Sequence, residues 1–113
     1  MDFLMTLKIL ATLATAATGV LSLVRPGLVY GFTGLEAVGA RGISEIRSIF
    51  GGLFIGLGAA PLFLGDAAFA MLGIGYLAIA IVRAFSILVD KSYARSNLIS
   101  LGIEIVLGLI LVA

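Results

Sequence analysis

Four long runs of apolar residues divide the chain, and short stretches of polar residues, glycine or proline separate them. The runs cover residues 3–24, 43–64, 67–89 and 97–113. An α-helix rises 1.5 Å per residue, so about 20 residues cross a hydrocarbon core roughly 30 Å thick. The pattern therefore predicts an all-α fold: one domain, residues 1–113, that is a polytopic membrane protein with four transmembrane helices in an antiparallel bundle.

The breaks between the runs predict where the helices end. Pro26 lacks a backbone N–H and disfavours a helical conformation at Arg25, so the first helix should stop there. Only Gly65 and Asp66 separate the second and third runs, which indicates an antiparallel hairpin. Pro61 is expected to kink the second helix near its end. The stretch 90–96 is predicted to be a polar turn between the last two helices.

The segment 25–42 has a mixed character. It carries five glycines among large apolar residues, which makes it too glycine-rich for a well-defined helix and too apolar for a solvated loop. An interfacial position, with Tyr30 and Phe32 at headgroup depth, fits both properties. A re-entrant dip is the alternative, provided that protein covers its backbone. The first run has an alternative too, a cleaved signal peptide with Ala14-Thr15-Ala16 at the cleavage site; its stripe of small residues favours a span.

The amino-acid composition is typical of a membrane protein. Hydrophobic residues make up 62% of it and charged residues 12%, whereas soluble domains are about half apolar and about a quarter charged. Cysteine and histidine are absent, which excludes disulfides, thiolate or imidazole metal ligands, and catalysis by either group. A net charge of +1 provides no basic field for a nucleic-acid partner. No catalytic motif, cofactor or metal site is predicted.

Charge is distributed unequally between the two sides of the predicted bundle. The side on which spans one to two and three to four are joined carries five basic residues, whereas Lys8 stands alone on the opposite side. The five are Arg25, Arg41, Arg47, Lys91 and Arg95. The positive-inside bias then predicts cytoplasmic loops and both termini outside.

Besides Lys8 near the start of the first span, four charges fall inside predicted spans: Glu45 and Arg47 in the second, Arg83 in the third and Glu104 in the fourth. Arg83 lies seven residues before Asp90 and Glu104 lies seven residues after Asn97, so both are about 10 Å below the turn 90–96 and at matching depth. We expect them to pair, with Glu45 and Arg47 completing a four-charge cluster. Two interpretations stay open: an ion pair that fixes helix register, or a polar ligand or proton site.

Other residues near this cluster are candidates for binding or packing. Tyr76 precedes Arg83 by two helical turns on the same face, which suggests a ligand contact or a packed core residue. In the second span, Gly52 and Gly56 form a Gly-x-x-x-Gly step in a stripe of small residues. Such stripes allow helices to approach closely, so these glycines are predicted to pack against a neighbouring helix.

The motif Glu45-x-Arg47-x-x-Phe50-Gly51-Gly52, with the Arg-Pro step after the first span and Gly34-Leu35-Glu36, resembles domain-of-unknown-function family 4345. The resemblance covers nearly the whole chain. It implies a small bacterial protein of the inner membrane with four spans and an arginine in the third, at Arg83, but it supplies no reaction. Phe50 replaces the tyrosine more often expected there. The architecture is also similar, by analogy, to membrane proteins of the DoxX kind.

Three functions compete on this sequence. The first is a non-enzymatic module that binds a lipid or hydrophobic ligand or serves a larger membrane complex. The second is an oligomeric transporter of the small multidrug-resistance type, although the first span has no acid and the chain no tryptophan. The third is an enzyme acting on a membrane-embedded substrate through Glu45 or Glu104. The expected partners are the lipid bilayer and a homo-oligomer or larger complex.

Overall fold

Five helices make up the protein in a computed structural model that describes residues 2–113. They are α1 (Phe3–Val24), α2 (Leu28–Thr33), α3 (Gly39–Leu64), α4 (Asp66–Val89) and α5 (Arg95–Val112). All except the short α2 are long and apolar enough to cross a membrane. The predicted all-α, four-span architecture is confirmed.

The helix ends follow from local chemistry. The Asp2 carboxylate caps α1 by accepting a 2.7 Å hydrogen bond from the Met5 backbone N–H, which satisfies one of the free donors of the first turn. Gly65 alone joins α3 to α4, with a φ of 80° that favours glycine. Lys8 donates a 2.7 Å hydrogen bond to the carbonyl of Ala113, so the two ends of the chain lie on one side of the bundle.

The glycine-rich segment 25–42 is more ordered than the sequence indicates. It contains α2, whose Val29 is completely buried, and α3 begins four residues before the predicted start at residue 43. Gly34 ends α2 in the left-handed conformation, with a φ of 76°. Tyr30 and Phe32 are exposed. Gly31 and Gly42 lie inside helices and Gly34 ends one, so the glycines do not prevent helix formation here, which the composition did not predict.

The middle of α3 departs from α-helical geometry. Residues Ile46–Leu53 are π-helical, with backbone hydrogen bonds that span five residues rather than four. Such segments widen the turn and change the angular position of every residue that follows. Pro61, farther along α3, is buried inside the helix. The ideal α-helical spacing on which the sequence prediction relied therefore fails for part of this span.

Helices α1 and α3 form one close pair. A Cβ placed on Gly58 would lie 2.6 Å from the backbone nitrogen of Ala16, and a Cβ on Gly19 would lie 2.8 Å from the carbonyl oxygen of Gly51. These glycines bring the two backbones together because no side chain would fit between them.

The prediction that Gly52 and Gly56 make this approach is wrong. Both are exposed, and a Cβ on Gly56 would meet nothing within 4 Å. The span carries two glycine stripes of similar size. Spacing cannot decide which one faces a partner, whereas the small residues of α1 do decide it, because they lie opposite Gly51 and Gly58.

Helices α4 and α5 form the second pair, which contacts the first through α3 with α4 and through α1 with α5. The buried core lies toward the chain ends, where Ala11, Phe69, Leu72 and Leu111 pack together. The outer surface is apolar, with Ile81 and Leu88 both 71% exposed, as expected for lipid-facing helices. At the opposite end of the bundle, around the α4–α5 turn, the packing is more open and polar groups enter.

Candidate functional site

The Arg83–Glu104 pair is the polar centre of the bundle. Arg83 Nε donates to Glu104 Oε1 and Arg83 Nη2 donates to Glu104 Oε2, both at 2.7 Å. Only 10% of the Glu104 side chain and 31% of the Arg83 side chain are exposed. This bidentate geometry joins α4 to α5, which confirms the predicted pair, and it gives both carboxylate oxygens a partner.

Asn97 extends the pair toward the α4–α5 turn. Its Oδ1 accepts a 2.8 Å hydrogen bond from Arg83 Nη1. Its Nδ2 donates to the hydroxyl of Ser92 at 2.9 Å and to the Ser92 carbonyl at 3.2 Å. The turn is therefore tied to the buried ion pair through one amide side chain. We predicted neither Asn97 nor Ser92; an amide at the start of α5, facing an arginine on the preceding helix, is the signal that could have indicated the contact.

The predicted four-charge cluster does not form. Glu45 is exposed and pairs with Arg41, whose Nη2 lies 3.0 Å from Glu45 Oε1. Because α3 begins at Gly39, Arg41 is helical and precedes Glu45 by one turn, which is the spacing at which helical side chains meet. Arg47 is also exposed, and within residues 2–113 it makes no salt bridge. Only Arg83 and Glu104 of the four come together.

A cleft of about 770 Å³ opens beside the ion pair. It lies between the end of α2, the second half of α4 and the start of α5. Its polar wall is rich in hydroxyl groups and consists of Thr33, Arg83, Ser86, Ser92, Ser96 and Asn97; its apolar wall includes Phe32, Ala78, Ile79 and Val82. The cleft is within the usual size range of small-molecule sites.

An apolar crevice of about 350 Å³ lies between α3 and α4 and adjoins this cleft. The two spaces share Ala78 and Ile79. The crevice walls are otherwise Leu53, Phe54 and Leu57 of α3, residues 71–76 of α4 except Gly73, and Thr15 of α1. We call the cleft and crevice together the α3–α4 groove. It has a polar end at Arg83 and an apolar end toward Met71.

Tyr76 lies where the crevice meets the core. It is half-buried, and its hydroxyl hydrogen-bonds the hydroxyl of Thr15, which also donates to the Ala11 carbonyl at 2.9 Å. The tyrosine packs against the core residues of α1, α4 and α5 and also lines the crevice. Its polar atom already has a protein partner, so Tyr76 offers the groove mainly its ring.

The groove has dimensions suited to one leaflet. Ile79 and Met71 are eight residues apart on α4, so the apolar part is about 12 Å long at 1.5 Å per residue. Half of a bilayer core is about 15 Å thick. A flexible apolar chain of one leaflet therefore matches the crevice, and its polar end would lie at the cleft.

The carboxylate beside the groove is already hydrogen-bonded within the protein. Within residues 2–113, no group of three or more histidine, cysteine, aspartate or glutamate side chains is placed to hold a metal ion. Glu104, the only carboxylate beside the groove that lies deep in a span, has both oxygens bonded to Arg83. Comparison of the chain with protein-family models, curated proteins and solved structures finds no match.

Proposed function

We propose that this small multi-pass membrane protein is a non-enzymatic module that binds a lipid or other hydrophobic small molecule in the α3–α4 groove. The observation that carries the proposal is that two unlike spaces adjoin each other. A cleft rich in hydroxyl groups beside Arg83 shares Ala78 and Ile79 with an apolar crevice. An amphiphile has a polar head and an apolar chain, which match the polar cleft and the apolar crevice. Small-molecule sites in proteins use a few polar groups to orient a mostly apolar ligand.

The contacts of Glu104 and Glu45 argue against the two competing functions, a transporter and an enzyme. A proton-coupled transporter needs an acid that its solute or a proton can reach, and Glu104 is buried and held by two hydrogen bonds from Arg83. An enzyme needs an acid or base facing its substrate. The other candidate, Glu45, is exposed and paired with Arg41, away from the groove.

The wider setting follows as part of the proposal. We infer a bacterial inner membrane location, with the α4–α5 turn and the α1–α3 connection in the cytoplasm and both termini outside. The excess of basic residues on those two connections supports this orientation. Membership of domain-of-unknown-function family 4345 rests on the Glu45-x-Arg47 motif. The groove's polar end would then lie in the cytoplasmic leaflet.

Blocking the crevice tests the proposal. Gly75 lines it, and a Cβ there would meet nothing within 4 Å, so Gly75→Trp should fold and fill the space. Purified protein is delipidated and incubated separately with 1-oleoylglycerol and with 1-oleoyl lysophosphatidate, and native mass spectrometry counts bound molecules. We expect saturable one-to-one binding of at least one probe to the wild type and loss of that binding in Gly75→Trp.

Gly102→Trp is the matched control. Gly102 is exposed on α5, and a Cβ there would also meet nothing within 4 Å, but it lines neither part of the groove. The variant makes the same change on a lipid-facing surface and should bind like the wild type. Equal binding by Gly75→Trp and the wild type, or no saturable binding of either probe, would rule out the groove as a ligand site.

A further inference from the structure

The α3–α4 groove has no net charge at its polar end. Arg83 is its one cation, and the Glu104 carboxylate neutralises it through two 2.7 Å hydrogen bonds. Asp90 accepts a hydrogen bond from Ser86 at the rim, and the exposed Lys91 and Arg95 lie beyond it, on the turn and at the start of α5. Exposed charges of this kind are screened over about 8 Å at physiological salt. An anion that enters the cleft would therefore lose its hydration, and no unpaired positive charge in the cleft would offset that cost.

Hydrogen-bond donors are nevertheless in surplus there. Arg83 has five N–H groups, and three of them are used within residues 2–113. The Ser92 hydroxyl oxygen accepts a hydrogen bond from Asn97. The O–H of Ser92 itself has no acceptor within residues 2–113. The Ser96 hydroxyl forms no hydrogen bond with another described residue, although it lines the cleft. Four donors thus remain for a ligand that offers acceptor oxygens.

Two other hydroxyl groups of the cleft already donate hydrogen bonds to acceptors within the protein. Thr33 donates to the Val29 carbonyl at 2.7 Å and accepts from the Leu35 N–H at 3.0 Å. Ser86 donates to Asp90. The available side-chain donors are therefore Arg83, Ser92 and Ser96, on the α4–α5 side of the cleft, opposite α2.

We propose that the groove selects an uncharged amphiphile whose headgroup presents hydroxyl or carbonyl oxygens to the free N–H groups of Arg83 and the hydroxyls of Ser92 and Ser96. This inference rests on the proposed ligand-binding function and assigns the class of its headgroup. A buried headgroup of this class gains hydrogen bonds without adding a charge to a site that is already balanced. Anionic lipids of the same chain length are the disfavoured class.

The test compares two probes that share one oleoyl chain and differ in headgroup charge. Binding of 1-oleoylglycerol and of 1-oleoyl lysophosphatidate is titrated against the full chain in detergent micelles. We expect 1-oleoylglycerol to bind more tightly, by about tenfold or more, because only the phosphate brings an unpaired charge into the cleft. Ser96→Ala should weaken its binding about two- to tenfold, the value of one hydrogen bond.

Ser48→Ala is the control, since Ser48 is exposed on α3 and lies outside the groove; it should leave both affinities unchanged. Equal or tighter binding of lysophosphatidate that Gly75→Trp still abolishes would overturn the headgroup assignment while the proposed function stands. An unchanged affinity in Ser96→Ala would overturn the assignment of the donor wall. Failure of both probes to bind would overturn the proposed function and this inference with it.

Discussion

Replacing Arg83 with leucine removes the one partner of a buried carboxylate. The Glu104 side chain is 10% exposed and depends on Arg83 for both of its hydrogen bonds. Removing one partner of a buried ion pair costs about 3–5 kcal/mol. Because 31% of the Arg83 side chain is exposed, water can reach the site, and we expect the lower value, about 3 kcal/mol.

Replacing Glu104 with leucine should lower the free energy of unfolding by a smaller amount. In Glu104→Leu the guanidinium keeps Asn97 as an acceptor and can turn its exposed end toward water, as long basic side chains do at helix ends. We expect a loss of about 1–2 kcal/mol. The double variant Arg83→Leu/Glu104→Leu should recover most of the stability, since packed apolar residues replace buried ion pairs at little cost, and the coupling energy should be about 3 kcal/mol.

Unfolding in mixed micelles by titration with sodium dodecyl sulfate measures all three free energies of unfolding. Arg47→Leu is the control because Arg47 is exposed and makes no salt bridge within residues 2–113; it should change stability by less than about 0.5 kcal/mol. A coupling energy below about 0.5 kcal/mol, or equal losses from the Arg47 and Arg83 variants, would show that the buried pair does not stabilise the bundle.

Three further predictions use the same assay. Gly58→Ala should destabilise the protein by about 1–3 kcal/mol, because its Cβ meets backbone of α1, whereas Gly56→Ala should be neutral or slightly stabilising; the opposite order would contradict the packing of α1 on α3. Thr15→Val should cost about 1–2 kcal/mol by leaving the Tyr76 hydroxyl without its partner, and adding Tyr76→Phe should restore part of that loss; no recovery would exclude the hydrogen bond. Glu45→Ala should cost less than about 0.5 kcal/mol, since its pair is exposed, and a larger loss would point to a buried role.

The spans and the central ion pair were predictable from the sequence because chain length and helical rise determine them. A tight α4–α5 connection places residues seven positions on either side at one depth, so Arg83 and Glu104 had to lie at the same level. The energetic cost of an unpaired charge in the membrane then favours their contact.

The failed predictions depended on features that residue spacing does not reveal. The position of Glu45 depended on where α3 begins, and four additional helical residues brought Arg41 within one turn of it. The packing stripe depended on the face presented to α1. The π-helical stretch Ile46–Leu53 has no residue signature that spacing alone reveals. The crevice lies between the two helix pairs, and the way in which these pairs pack is not determined by any single residue.

Photochemical labelling tests the central claim, that the α3–α4 groove holds an amphiphile. The protein is reconstituted in phosphatidylcholine vesicles with 1-oleoylglycerol that carries a diazirine near the middle of its chain, irradiated, digested and mapped by mass spectrometry. We expect the label to concentrate on crevice residues such as Leu57, Met71 and Ile79 and to fall when unlabelled 1-oleoylglycerol competes. Uniform labelling of lipid-facing residues such as Ile81 and Leu88, without competition, would show that the groove is ordinary protein surface in contact with bulk lipid.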